Sequence, residues 1–217
     1  MEPKNSIRIQ PTYNLMPPLA FIPLESSQRW DSPFDGEGIE PAVKVFLTQP
    51  AYALMCAHAG GELEEETGGV LVGLPCEDAE TGQEFIVIEH ALPARFTRQG
   101  SVFLTFTQDT LVYFHNEIEA RFPGEQIVGW YHTHPKMGIF LSNYDTWLHN
   151  NFFPERWQVA LVIEPHKKLG GFFIRQSNGD LDPKRYMGFF EMEGNPERSI
   201  VEWNNLHRIN GSPSEGG

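Results

Sequence analysis

A chain of 217 residues with 40% hydrophobic and 12% aromatic content can bury a full core, and one globular domain with terminal extensions is the expected organisation. Sixteen Lys+Arg against 29 Asp+Glu leave a formal net charge of -13, which argues against a chain that tracks phosphate backbones, because such binding draws on clustered cations. The only cysteines, Cys56 and Cys76, are too few for a disulfide framework and lack the paired spacing of a structural zinc site, so any metal must be held by His and carboxylate groups.

No run of 18 or more apolar residues occurs, and MEPKNSIRIQPTYN lacks the charged-then-apolar plan of a signal peptide. A cytoplasmic protein without membrane or nucleic-acid partners is expected. Residues 1–42 hold seven of the 17 prolines (Pro3, Pro11, Pro17, Pro18, Pro23, Pro33, Pro41) and show no sustained period, which predicts an irregular extension lying across the domain surface. VKVFLTQ (43–49) is strand-like, and Pro50 sits at a first helical position, opening AYALMCAHAGGELEE as a helix with a Gly-Gly break. TGGVLVGLP (67–75) and EFIVIEHAL (84–92) are further strands. Thr107 then caps a helix whose Leu111, Phe114, Ile118 and Phe122 share one face, with Gly124 as its stop.

QIVGWYHTHP (126–135) predicts a strand, SNYDTWLHNNF (142–152) a short helix, WQVALVIEP (157–165) and GGFFIRQ (170–176) a hairpin, and YMGFFEM (186–192) one more strand. The expected fold is an α/β or α+β sandwich with about three helices on a sheet. A domain over 43–195 would be followed by a C-terminal segment at 196–217, with a disordered tail in RINGSPSEGG.

One constellation carries chemistry. Strand side chains alternate faces, so His132 and His134 point the same way, together with Trp130 and Val128, and can reach a common metal ion. Pro135 ends the ladder and releases the chain into a loop. Ser142 and Asp145 lie three apart at the next helix start, where Asp145 can supply a third ligand. Taken alone, Ser142-x-x-Asp145 is close to a capping box and needs no chemistry. Together with the two histidines it makes a three-ligand pattern that leaves the fourth zinc position open, as catalytic sites do. Hydrolysis also needs a base. Of Glu62, Glu64, Glu65 and Glu66, most belong to a solvated helix end, and Glu66, which leads directly into the apolar strand, is best placed to enter the core. Trp130 is expected to pack behind the histidines, while His149 and His115 are expected to be surface or structural residues.

His132-Thr-His134-Pro135, six further residues and Ser142-Asn-Tyr-Asp145, with Glu66-Thr-Gly-Gly-Val-Leu-Val-Gly73 upstream, resemble the motif of the JAMM (MPN-plus) zinc metalloproteases over roughly residues 43–192. The compact form is similar to bacterial deubiquitinase-like members. This resemblance implies an MPN sandwich of the cytidine-deaminase-like type with a mixed β-sheet. It also implies one zinc ion on His132, His134 and Asp145, Glu66 as general acid/base, and Ser142 as the hydroxyl supporting an oxyanion. The implied activity is hydrolysis after the C-terminal glycine of ubiquitin or a ubiquitin-like protein, with activating-like and conjugating-like enzymes as further partners. A peptidase acting on sulfur-carrier proteins or peptides and a non-catalytic MPN-like interaction subunit are the alternatives. The short TWLHNNFFPERW segment has no Cys, so the second zinc site of some eukaryotic members is not expected.

Overall fold

The computed structural model describes residues 17–38, 40–94, 107–192 and 198–209. The first 16 residues of the Pro-rich stretch and the tail beyond residue 209 lie outside the described residues. The described strands are β1 (Leu19–Ala20), β2 (Ser27–Asp31), β3 (Lys44–Thr48), β4 (Gly68–Asp78), β5 (Glu84–Pro93), β6 (Gln126–Thr133), β7 (Val159–Glu164), β8 (Leu169–Phe173), β9 (Phe189–Met192) and β10 (His207–Arg208). Three helices accompany them: α1 (Gln49–Gly61), α2 (Gln108–Arg121) and α3 (Asn143–Phe152). None of these helices is long and apolar enough to cross a membrane.

One mixed sheet runs in the order β10-β2-β9-β3-β5-β4-β6-β7-β8, with β1 beside the end of β4. Phe172 in β8 exchanges backbone hydrogen bonds of 3.2 and 2.7 Å with Met187, just before β9, so the sheet curls back on itself. Its two faces carry separate cores. Ala51, Tyr52, Met55 and Ala59 of α1 pack with Leu47, Leu71, Ile88, Tyr131 and Leu161 on one face. On the other, Phe114 of α2 and Leu148 of α3 close over Val70, Trp130, Ala160 and Val162.

Each helix begins on the residue type that satisfies its free N–H groups. The Thr48 hydroxyl accepts from Ala51, with Pro50 in the first turn, and Thr107 and Ser142 do the same for α2 and α3. The apolar stripe expected on α2 faces the second core. Gly170 has no room for a Cβ, because the Trp203 ring would lie 2.2 Å away, and this brings the segment after residue 200 against β8.

Three local expectations change. Part of the stretch expected to be irregular is strand: β2 pairs with both β9 and β10. Its five residues are all half-buried, so neither face supplies the alternation by which a strand is recognised. β4 runs three residues past Pro75; β6 pairs with it only as far as Gly73, so Pro75 lies where that ladder has already ended. Val128 does not share a face with Trp130. Leu71 pairs with Gly129 but Val72 with Ile127, which makes Val128 a bulge residue, and it joins the α1 core while Trp130 joins the α3 core.

Candidate metal centre

β6 is held between β4 and β7 along the half that bears the histidines, with Gly68 opposite His132 on one side and Val162 on the other. The period of two from Trp130 onward then aims Trp130 and His132 at the α3 side. Trp130 stacks on His132, with ring centroids 4.5 Å apart and planes at 8°, and donates its indole N–H to Nδ1 of His149 at 3.1 Å. Trp130 therefore packs where it was expected to. His149, fully buried, is a structural acceptor rather than a surface residue. His115 is exposed on α2 beside Glu119.

Ser142 and Asp145 form a reciprocal capping box. The Ser142 Oγ accepts from the Asp145 N–H at 3.1 Å, and Oδ2 of Asp145 accepts from the Ser142 N–H at 2.7 Å. That same Oδ2 lies 3.5 Å from Nε2 of His132 and 3.6 Å from Nε2 of His134, while the two Nε2 atoms are 2.9 Å apart. Zinc bonds of about 2.0–2.1 Å at a tetrahedral angle separate ligand atoms by roughly 3.3 Å, so this triangle fits one ion without rearrangement. Both rings turn Nε2 into the cluster; their buried Nδ1 atoms find no hydrogen-bond partner.

The electrostatics suit the same donor set. Burial pushes the His132 imidazole below its ordinary pKa, against the pull of Asp145, which keeps it in the neutral form that binds metals. Burial alone would raise the Asp145 carboxyl, but hydrogen bonds from His132, His134 and Ser142 hold it well below the usual carboxylate range. His132, His134 and Asp145 are 0%, 2% and 3% exposed, whereas Glu66 and Ser142 are half-exposed.

Glu66 lies two residues before β4. Thr67 and Thr133 are tied by two hydrogen bonds of 2.8 Å, one to the Thr133 hydroxyl and one between backbones. The β4–β6 register ends with Gly68 opposite His132, and the Thr67–Thr133 hydrogen bonds carry the two segments one place further, with Glu66 the next residue out. The structure thus brings His132, His134 and Asp145 into contact, with Ser142 capping the helix that bears Asp145 and Glu66 next to Thr67, which is tied to the histidine strand through Thr133. Thr133, between the two histidines, was not singled out from sequence, although its hydroxyl ties the Glu66 strand to the ligand strand.

A second set, Glu89, His90 and Glu125, also places three ligand-type atoms within 4.8 Å of one another. It lies at the other end of β6 and is half-exposed. His90 is paired with Glu125 at 3.3 Å and stacked on Phe122.

Fold and site together define a mixed α/β domain built around a candidate centre of two histidines and one aspartate. The model of the prokaryotic homologs of the JAB domain matches residues 48–168, and the chain belongs to that family. A protein named NAD(+) hydrolase TcpA from Theionarchaea archaeon (strain DG-70-1) is 34% identical over 114 residues, 51% of this chain and 31% of that protein. COP9 signalosome complex subunit 5 of Kluyveromyces lactis is 31% identical over 136 residues, 59% of this chain and 33% of that protein. The chain therefore spans about a third of the length of these curated relatives. A solution structure of a Desulfitobacterium hafniense protein covers 65% of this chain and 91% of its own at 21% identity, with a TM-score of 0.48.

Proposed function

We propose that this chain is a zinc-dependent isopeptidase or peptidase that hydrolyses the bond after the C-terminal glycine of ubiquitin or a ubiquitin-like protein. The convergence of the ligand atoms of His132, His134 and Asp145 within 4.8 Å of one another is the observation that carries the reading. His132, His134 and Asp145 would hold the zinc, which when bound would supply Lewis acidity toward water and toward the scissile carbonyl. Asp145 enters the site already ionised, since its carboxyl is held below the usual range. Glu66 takes the proton of the attacking water and passes it to the departing amine. Ser142 donates its hydroxyl hydrogen to the developing oxyanion, while a lone pair of the same oxygen continues to cap α3.

The test is cleavage of a panel of ubiquitin-like and sulfur-carrier fusions by wild type and Glu66→Gln, with and without a chelator. Wild type should retain about one zinc per chain, as a three-ligand centre does. Glu66→Gln should keep that zinc and lose roughly 10²–10⁴-fold in rate. A zinc-loaded wild type that cuts no member of the panel sinks the isopeptidase reading, and a protein that holds no zinc supports an interaction subunit instead. NAD+ belongs in the panel because the archaeal relative bears a name for that activity.

A further inference from the structure

Beyond the ligand triad, one fully buried carboxylate joins the two loops that flank the centre. Glu164, the last residue of β7, is 0% exposed and has no cationic side chain against it among its hydrogen-bond partners. Its Oε1 accepts from the backbone N–H of Lys136 and of His166, each at 3.0 Å, and its Oε2 accepts from the N–H of Lys167 at 2.9 Å. Burial alone would raise this carboxyl, and the three N–H groups bring it below its ordinary value, so the charged form is the one built in.

Both turns held by Glu164 reach the site. Lys136 follows the His134-Pro135 pair and has a φ of 62°, a left-handed conformation that a lysine keeps only where its surroundings impose it. His134 itself is tied to the end of β7 through its N–H to Ile163 at 2.9 Å. The side chains of the same two residues then turn back toward the segment that bears Glu66. Lys136 Nζ meets the Glu64 carboxylate at 2.9 Å, and His166 Nε2 lies 2.8 Å from the Leu63 carbonyl. Glu66 is thereby held between two anchored points, residues 63–64 on one side and the Thr67–Thr133 pair on the other.

We propose that Glu164 is a positioning residue for this centre. It fixes the backbone that carries His134 and, through Lys136 and His166, the segment that carries Glu66. The role rests on the metallopeptidase reading above. Nothing in it requires Glu164 to touch substrate.

The experiment compares full-length wild type, Glu164→Gln, Glu164→Asp and His166→Ala in three measurements. These are zinc affinity by competition with a chelator, amide hydrogen exchange over residues 62–67, and kcat and KM on whichever fusion the wild type cuts. Glu164→Gln places an amide NH2 against backbone N–H groups, and zinc affinity should fall tenfold or more, as it does when the groups that orient ligands are lost. Exchange at 62–67 should quicken, and kcat should fall with KM nearly unchanged. Glu164→Asp, which keeps the carboxylate, should recover part of each. His166→Ala keeps its backbone N–H on Glu164, so it should quicken exchange at 62–67 and lower kcat while zinc affinity stays within about twofold.

A Glu164→Gln protein with wild-type zinc affinity and wild-type exchange overturns the proposal. So does one that loses thermal stability without either change, which marks a purely structural role. Should Glu164→Gln fail to fold, Glu164→Asp and His166→Ala decide by the same readouts. If wild type cuts no fusion, the isopeptidase reading fails alone, and zinc affinity and exchange still decide the role of Glu164.

Discussion

Asp145 shows how one side chain serves stability and chemistry together. Its Oδ2 closes the capping box with the Ser142 N–H and is also the oxygen nearest both Nε2 atoms. Ser142 is the reciprocal partner, and its two roles can be separated by substitution. Ser142→Ala should cost about 1 kcal/mol of stability through the lost cap, read by chemical denaturation, and roughly 10²–10³-fold in rate through the lost oxyanion donor. Ser142→Asp keeps a capping oxygen but has no hydroxyl to donate, so it should recover the stability and not the rate. Recovery of both would remove Ser142 from the proposed chemistry.

At the scale of elements, α3 must sit at a fixed height over β6 for Asp145 to meet the histidines. Its N-terminus is set by the capping box and its C-terminus by Arg175, which is 7% exposed. The guanidinium donates to the carbonyls of Phe153, Glu155 and Gln158 and to Oδ1 of Asn150, at 3.0–3.5 Å. Arg175→Leu leaves those acceptors without their donor and should destabilise the protein by roughly 2–4 kcal/mol. The same change should weaken zinc binding, because the helix that presents Asp145 loses its C-terminal tie. Unchanged zinc affinity in a measurably destabilised variant would mean that the capping box alone places Asp145. The bulge at Val128 belongs to this scale as well. It lets the first half of β6 feed the α1 core and the second half feed the metal face, which no uninterrupted alternation can do.

For the whole molecule, the curled sheet divides two cores, and the buried imidazoles of the α3 core make stability depend on pH. Burial, with the Arg175 charge nearby, brings His149 down to about 3, and burial also lowers His132. A depressed folded pKa means that the unfolded chain binds more protons between that value and about 6.5. For His149, stability is therefore complete above about pH 6.5 and is lost as pH falls toward 3, by up to about 1.4 kcal/mol per unit. His149→Gln retains an acceptor for the Trp130 indole without titrating, and it should reduce by roughly one proton the slope of stability against pH measured between pH 4 and 6.5. An unchanged slope would rule His149 out as its source. Much of this architecture was legible in the chain: the helices at 49–61, 108–121 and 143–152, the main strands, and the spacing of His132, His134, Ser142 and Asp145. These are local signals, set by the periods of 3.6 and 2 and by side chains that cap their own helices. Strand β2, the bulge at Val128, the tie between Thr67 and Thr133, and the three N–H groups around Glu164 were decided only by the tertiary structure. Each depends on which strand lies beside which, and that pairing is chosen by contacts between residues tens of positions apart, where no local period reaches.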